Sequence, residues 1–342
     1  MTPQETPREL GFCMPAEWER HEATWIAWPH NREDWPGRFA PIPWVYCEIV
    51  RKLVESEKVR ILINSEKAIR SARRMLTSVH ADLEAVQFFE IPTNRVWTRD
   101  YAPLFVKNAE GQVAITNWKF NAWAKYDDWQ LDNDANIALA RHLGLRMWSP
   151  DFVLEGGSID VNGQGALMTT EECLLSPIQA RNPSLTRGEI EQTLRDYLGV
   201  TRVVWLKNGI AGDDTHGHID DIARFVDPST VVLAQEQNRS DPNHVPLREN
   251  LDILKNEYRV VSLPMPAPLI FNGRRLPASY ANFYIANLTV LVPTFNDPND
   301  RIALDTLAEL FPGRRVTGIN AVELVWGLGT LHCLTQQQPT SG

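Results

Sequence analysis

Residues 43–64 read Pro-Trp-Val-Tyr-Cys-Glu-Ile-Val-Arg-Lys-Leu-Val-Glu-Ser-Glu-Lys-Val-Arg-Ile-Leu-Ile-Asn. The first part of this segment has apolar residues at helical spacing, which predicts an amphipathic helix from about 43 to 57. The second part, residues 59–64, is short and rich in β-branched side chains, which is typical of a buried strand. A helix that runs directly into a buried strand indicates an α/β protein.

The same alternation continues along the chain. Thr186-Arg-Gly-Glu189 is a capping box that predicts the start of a helix ending at Gly199. Because strands and helices keep alternating, we expect an α/β fold with the motif-bearing residues at strand ends or in the glycine-rich loops after them. The other predicted elements are strands at 87–91, 104–106, 202–206, 230–234, 289–293 and 315–318, and helices at 132–143, 250–257 and 300–310.

No Gly/Ser linker or low-complexity tract divides the 342 residues, so we interpret residues 1–342 as a single catalytic domain. The net charge of −9 argues against a nucleic-acid partner, because there is no excess of Lys and Arg to neutralise phosphates. No apolar run is long enough to cross a bilayer, and the N-terminus is polar without a signal-peptide core, so we expect no membrane partner. The sequence leaves a homo-oligomer open.

The chain has four cysteines, which are widely spaced and form no Cys-x-x-Cys pair. This pattern predicts reduced thiols in a cytoplasmic protein. Cys333 differs from the other three because it follows Gly327-Leu-Gly and precedes a polar run of glutamines. Glycines allow a close approach of the backbone to a ligand, which makes Cys333 a candidate nucleophile.

A dense acidic and histidine cluster reads Asp213-Asp-Thr-His-Gly-His218-Ile-Asp220-Asp. In one interpretation His216, His218 and Asp220 bind zinc, as in metallo-β-lactamase-type hydrolases, although further ligands would be needed. In the other, His218 and Asp220 lie on one face of an extended segment, where one shuttles protons and the other holds a cationic substrate.

Two more acidic motifs stand upstream. Trp97-Thr-Arg-Asp100 places an aromatic wall beside a carboxylate, and Glu155-Gly-Gly157 follows an apolar pair that suggests a buried strand. Each motif alone is equally compatible with an ordinary turn or a surface ion pair. Two opposed carboxylates suit a planar guanidinium, since each can bond one of its edges. With a thiol and an imidazole, this set predicts covalent deimination of a guanidino compound.

Together the motifs Trp97-x-Arg-Asp100, Glu155-Gly-Gly, Asp214-Thr-x-Gly-His218-Ile-Asp220 and His332-Cys333-x-Thr-Gln-Gln-Gln-Pro resemble the agmatine deiminase and bacterial (Porphyromonas-type) peptidylarginine deiminase family. The resemblance covers nearly the whole chain. It implies a pentein fold, in which five ββαβ units form a pseudosymmetric propeller around a central channel. It also implies a reaction that needs no metal and no organic cofactor.

The resemblance implies roles for seven residues. Cys333 would be the nucleophile, His218 the general acid and base, and Glu155 a support for that histidine. Asp100 and Asp220 would bind the guanidinium, with Trp97 and Asp214 as further substrate-binding residues. The implied substrate is a small guanidino cation, first of all agmatine, which would yield N-carbamoylputrescine and ammonia for polyamine biosynthesis. Free or peptidyl arginine is the alternative, since Arg95 stands where agmatine deiminases commonly have an acid.

Overall fold

In this computed structural model, which describes residues 5–342, most of the chain repeats the order strand, strand, helix, strand. The first four residues of the predicted 1–342 domain lie outside the described part. Within each repeat the first two strands pair antiparallel and the third strand adds parallel to the second. The helix before the third strand provides the crossover that a parallel pair requires.

The strands form small mixed sheets rather than one continuous sheet. A separate hairpin joins Ile270–Phe271 to Arg274–Arg275. The sheets, each given in hydrogen-bonded order, are Leu104–Lys107, Val113–Thr116 and Met147–Trp148; Asp160–Val161, Ala166–Thr170 and Arg202–Leu206; Ala223–Asp227, Thr230–Gln235 and Arg259–Pro264; Tyr284–Ile285, Thr289–Thr294 and Arg315–Asn320; and Gln336–Pro339, His21–Ala27, Lys58–Ile63 and Val86–Glu90.

Helices pack beside these sheets and bury their apolar stripes against them. The longer helices are Ile42–Leu53, Glu66–Ser78, Gln130–Leu143, Arg187–Leu198, His244–Leu254 and Asn299–Leu310. Short helices occupy Thr98–Tyr101 and Glu171–Leu174, with 3-10 turns at Arg8–Leu10, Leu83–Ala85, Gly156–Ser158, Ile219–Asp221 and Leu324–Gly327. Within the described range, no helix is both long and apolar enough to span a membrane.

The α/β class predicted from sequence is confirmed, and most predicted elements begin and end within a few residues of the observed ones. The capping box at Thr186 is present, and its helix ends at Gly199 in the left-handed conformation. The helix predicted at 250–257 is wrong in its bounds, because the observed helix is His244–Leu254. The first turn, His244-Val-Pro-Leu, contains a proline, and the side chain before it forms no capping hydrogen bond, so the sequence gave no clear start.

The polar tract after Cys333 is the least expected element. Residues 336–339 form a buried strand that pairs antiparallel with His21–Ala27. Its glutamine amides replace the hydrogen bonds that water would supply. Trp25 Nε1 donates to Gln338 Oε1 at 2.9 Å, and Arg99 Nη1 donates to Gln337 Oε1 at 2.8 Å. A polar strand is therefore tolerated inside the protein because its side chains find partners there.

Candidate active site

The predicted site residues lie just before the first strand of successive sheets. They also follow the last strand of the preceding sheet, in agreement with the sequence analysis, which expected them at strand ends or in glycine-rich loops after strands. The segment before each first strand turns inward, so residues far apart in sequence meet at one place. Asp100 precedes Leu104–Lys107, Glu155 precedes Asp160–Val161, His218 and Asp220 precede Ala223–Asp227, and Cys333 precedes Gln336–Pro339.

Cys333 is buried, and polar side chains surround its sulfur. The Sγ atom lies 3.7 Å from Asp220 Oδ2, and Asn282 Nδ2 donates to it at 3.1 Å. The amide oxygen of Asn282 accepts from the His332 backbone N–H at 3.0 Å and from Thr330 Oγ1 at 2.7 Å. Asn282 thus fixes both the backbone and the thiol of the loop that carries Cys333.

His218 lies between two carboxylates. Its Nδ1 is 3.7 Å from Asp100 Oδ1, and its Nε2 is 3.7 Å from Glu155 Oε2. The other oxygen of Glu155 accepts from Arg181 Nε at 3.0 Å, and both of these side chains are fully buried. A buried Arg–Glu pair holds its geometry well, because breaking it would strand a charge. Glu155 is thereby placed to orient the imidazole.

Two details of the local structure correct the sequence analysis. Asp220 lies in the 3-10 turn Ile219–Asp221 and not on an extended segment with His218. Glu155 does not leave a regular strand, since only an isolated bridge between Lys119 and Val153 precedes it. In both cases glycine-rich local sequence favoured a turn over the extended backbone that we expected.

The carboxylates of Asp100 and Asp220 are both anchored on the protein side. Asp100 Oδ2 accepts from Trp123 Nε1 at 2.9 Å, and its Oδ1 accepts from the Gly157 backbone N–H at 3.1 Å. Asp220 Oδ2 lies 2.7 Å from His332 Nδ1. These contacts set the direction of each carboxylate before any ligand arrives, which is the preorganisation that a binding site needs.

Behind Asp220, the anchoring extends into a buried ion network. The other ring nitrogen of His332 lies 2.8 Å from Glu17 Oε2. Glu17 is also paired with Arg224 at 2.9 Å and with Arg99 at 3.2 Å. Burial alone would raise the pKa of Glu17, but Arg224 and His332 outweigh it and hold that pKa well below its usual value. The network therefore keeps Asp220 fixed and charged.

Burial and neighbouring charges separate the pKa values in the site. Burial, aided by Asp220 and Glu155, raises the pKa of Asp100 to about 7 even though His218 opposes it. Burial would also raise the pKa of Glu155, but Arg181 and His218 lower it to about 2. Burial followed by Asp220, Asp221 and Asp100 raises the pKa of the Cys333 thiol well above its usual value.

The pKa of His218 shifts in the opposite direction to the one that burial favours. Burial would lower it, but Asp100, then the side chains of Cys173 and Glu155, raise it well above the ordinary imidazole value. The unliganded site therefore holds an imidazolium, a neutral thiol and a surplus of carboxylates. A cation bound between the carboxylates would offset this surplus and favour the thiolate.

The site opens into a cavity of ≈ 580 Å³. Cys333, Asp100, Trp97 and Trp123 line its inner end. A side chain at Gly329 could not fit there, because a Cβ atom would lie 2.8 Å from Trp97 Cζ3 and 3.1 Å from Cys333 Cβ. This glycine lets the loop of the nucleophile pack directly on the tryptophan.

The outer end of the cavity is lined by paired and unpaired charges. Asp214 accepts from Lys125 Nζ and Arg274 Nη2, both at 2.5 Å, and from the Tyr126 hydroxyl at 2.6 Å. Arg95 forms ion pairs with Asp34 and Asp128. Asp214 thus lines the same cavity as Cys333, Asp100 and Trp97, but its charge is already compensated by protein groups.

The structure brings Cys333, His218, Glu155, Asp100, Asp220 and Trp97 into one region, with Asp214 farther out along the cavity. It does not assemble the alternative zinc set. His216 instead lies against Ser176 and Glu172. Sequence reasoning missed Asn282, Arg181 and Glu17 as site residues. Glu17 and Asn282 did carry a signal, because the segments Met14-Pro-Ala-Glu-Trp18 and Ala278-Ser-Tyr-Ala-Asn282 also resemble the deiminase family.

Comparisons with known proteins agree with this geometry. The family model for Porphyromonas-type peptidyl-arginine deiminases matches residues 13–339. The chain belongs to this deiminase family. A curated protein of Legionella pneumophila, provisionally assigned as an agmatine deiminase, is 37% identical to this chain. The alignment covers 98% of this chain and 97% of the relative.

Solved structures of deiminases superpose on this deiminase-family protein along its length. The agmatine deiminase of Enterococcus faecalis has a TM-score of 0.91 at 32% identity, covering 99% of this chain and 98% of that one. The agmatine deiminase of C. jejuni with substrate bound has a TM-score of 0.89 at 32% identity, covering 96% and 97%. The likeness includes both ends of the chain, which supply Glu17 and Cys333.

Proposed function

We propose that this protein is an agmatine deiminase, which hydrolyses agmatine to N-carbamoylputrescine and ammonia through a covalent intermediate on Cys333. One observation carries the proposal: a buried thiol, an imidazole between two carboxylates, and the anchored pair Asp100 and Asp220 meet at one end of one cavity. The names of the Enterococcus and C. jejuni neighbours support agmatine as the substrate.

The first half of the reaction forms the intermediate. Asp100 and Asp220 bind the two edges of the guanidinium and present its central carbon to Cys333. Substrate binding favours release of the Cys333 thiol proton to solvent, and the resulting thiolate attacks this carbon to give a neutral tetrahedral adduct. His218, held as an imidazolium by Asp100 and Glu155, donates its proton to an unsubstituted nitrogen, which leaves as ammonia. An amidino-thioether remains on Cys333.

The second half releases the product. His218, now neutral, accepts a proton from a water molecule that attacks the amidino carbon. The new tetrahedral adduct collapses, expels the Cys333 thiolate and leaves a ureido group after loss of one proton to solvent. Glu155 stabilises the imidazolium in both halves. Its pKa is lowered to about 2, so its carboxylate stays charged at neutral pH.

The charges at the outer end of the cavity favour a substrate with a second cation. Five acidic residues line this end against two arginines, and both arginines are paired with acids. Arg95 is therefore neutralised by Asp34 and Asp128 and leaves the region acidic. Asp34 Oδ2 is buried and has no hydrogen-bond partner among residues 5–342, so it could accept from an ammonium. The acids are Glu33, Asp34, Asp127, Asp128 and Asp214.

Substrate preference is the direct test of this proposal. We expect ammonia release from agmatine to exceed that from free arginine or a C-terminal-arginine peptide by roughly tenfold or more in kcat/KM. A carboxylate would face the acidic lining, and a difference of this size needs only ~1.4 kcal/mol. Parallel ammonia assays with the three compounds give the answer. A higher kcat/KM for either arginine compound would show that this compound, and not agmatine, is the preferred substrate.

Agmatine binding should depend on pH through Asp100. Its pKa is raised to about 7 by burial, so below that pH the carboxyl carries a proton and cannot pair with the guanidinium. Affinity should therefore be full above pH 7 and fall by up to about tenfold per pH unit below it. Calorimetry with the Cys333→Ser variant measures binding without turnover. A constant affinity from acidic to neutral pH would contradict this assignment.

The substitution Gly157→Ala should disable the enzyme without unfolding it. A Cβ atom at this position would lie 2.6 Å from His218 Nδ1 and 2.7 Å from Asp100 Oδ1. Displacing these groups should lower kcat/KM by about 100-fold or more. Gly188→Ala is the matched control, because nothing lies within 4 Å of its added Cβ. Equal activity of the two variants would show that the close approach at Gly157 is unimportant.

The remaining proposals concern the setting of this site. We propose that the mixed sheets are arranged as a pentein-type propeller with five-fold pseudosymmetry and a central channel, supported by the repeated strand, strand, helix, strand order. We also propose that residues 1–342 act as one catalytic domain in the cytoplasm. The four free cysteines of the chain support that location.

A further inference from the structure

A second thiol lies beside the imidazole of the site. Cys173, in the short helix Glu171–Leu174, is fully buried and performs no step of the proposed reaction, although its side chain helps to raise the pKa of His218. Ligand atoms of Cys173, His218 and Glu155 all lie within 4.8 Å of one another. The three residues come from separate segments of the chain, and all three are buried. Their grouping is thus a property of the folded site and not of the local sequence.

Two members of this group have unused ligand atoms. Glu155 Oε2 and both ring nitrogens of His218 lack a hydrogen-bond partner in the part of the chain that the structure describes. Glu155 Oε1 is held by Arg181, which directs the second oxygen toward His218. Buried polar atoms without partners are costly, so such atoms point to a ligand.

The donor set and the surrounding charge both suit a divalent cation that prefers sulfur. Thiolate, imidazole and carboxylate are the ligands of zinc, and three of them leave a fourth position for solvent. Asp100 Oδ1 lies 3.7 Å from His218 Nδ1. Asp220 Oδ2 lies on the same side of Gly157 as these two atoms. Without substrate the site therefore carries excess negative charge, which a dication would offset.

We propose that Glu155, Cys173 and His218 form an inhibitory Zn²⁺ site. Coordination requires that the Cys173 thiol and the His218 imidazolium each release one proton to solvent, while no group is oxidised or reduced. The bound metal occupies the lone pair that His218 needs to carry protons in deimination. Zinc therefore stops turnover without contacting Cys333, and free zinc concentration regulates the enzyme.

Metal binding is tested first without turnover, using Cd²⁺ as a spectroscopic probe. In the Cys13→Ser/Cys47→Ser/Cys333→Ser variant, Cys173 is the single thiol of the chain. Addition of Cd²⁺ should produce a cadmium–thiolate charge-transfer band that saturates at one equivalent. Zn²⁺ should displace it, and further replacement Cys173→Ser should remove it. Absence of the band, or its survival without Cys173, overturns the proposal regardless of the enzyme's substrate.

Inhibition is tested on the otherwise native enzyme. When each enzyme is compared with its own rate of ammonia release in metal-free buffer, Cys173→Ser should need at least about tenfold more Zn²⁺ for half inhibition than the native enzyme, as expected when metal affinity is weakened. Cys47→Ser, which alters a buried thiol elsewhere, is the matched control and should leave zinc sensitivity unchanged. Equal inhibition of native and Cys173→Ser enzymes would assign the effect to Cys333 instead.

Discussion

The Cys333→Ala variant is expected to release no measurable ammonia from agmatine. Loss of the nucleophile removes the covalent route entirely, and comparable losses in other hydrolases reach about 10⁶-fold in kcat. The fold should persist, because among residues 5–342 the sulfur makes only two polar contacts, with Asn282 and Asp220. Steady-state ammonia assays and thermal unfolding of the variant measure the two effects separately.

The control for this variant is Cys13→Ala, which removes an exposed thiol that contacts the Lys107 carbonyl. It should retain the activity of the parent protein. Turnover by Cys333→Ala above the background of the assay would refute covalent catalysis at this residue. Loss of activity in both variants would instead indicate a general dependence on thiols.

Asp220→Asn should be the next most damaging change. Asp220 is charged because His332, at 2.7 Å, lowers the pKa of its carboxyl against the effect of burial. The substitution removes one of the two charges that bind the guanidinium and replaces the charged hydrogen bond to His332 Nδ1 with a neutral, weaker one. We expect kcat/KM for agmatine to fall by about 1,000-fold or more, the size of effect seen when a site-specific buried charge contact is lost.

The adjacent residue provides a close control. Burial and the charge of Asp220 raise the pKa of Asp221 well above the usual value, which favours its neutral carboxyl. Asp221→Asn has nearly the same shape and charge and can still accept from Asn282. It should retain most activity. If both substitutions were equally harmful, local packing and not guanidinium binding would explain the loss from Asp220→Asn.

Sequence patterns predicted the helices and strands better than the site, for a physical reason. Helix and strand periodicity is local, and the capping box at Thr186 or the β-branched run at 59–63 is visible without knowing the neighbours. The buried strand at Gln336–Pro339 has no such signal. It exists because Trp25 and Arg99, distant in sequence, supply its hydrogen bonds.

The candidate site shows the same limit. Cys333, His218 and the acidic residues were recognisable by residue type and by their motifs, but no sequence rule showed that they would meet. Arg181 was invisible because an isolated arginine in a loop is ordinarily solvated. Its importance arises only from the buried pairing with Glu155. Contacts between remote segments therefore contain the information that local patterns lack.

The pairing of Gln336–Pro339 with His21–Ala27 has a consequence for how the enzyme matures. Register partners such as Trp25 and Gln336 join remote segments of the chain, and bringing them together costs the closure entropy of a very long loop. The loop with the nucleophile immediately precedes this strand. Hydrolytic competence therefore depends on a pairing between segments that lie more than 300 residues apart along the chain.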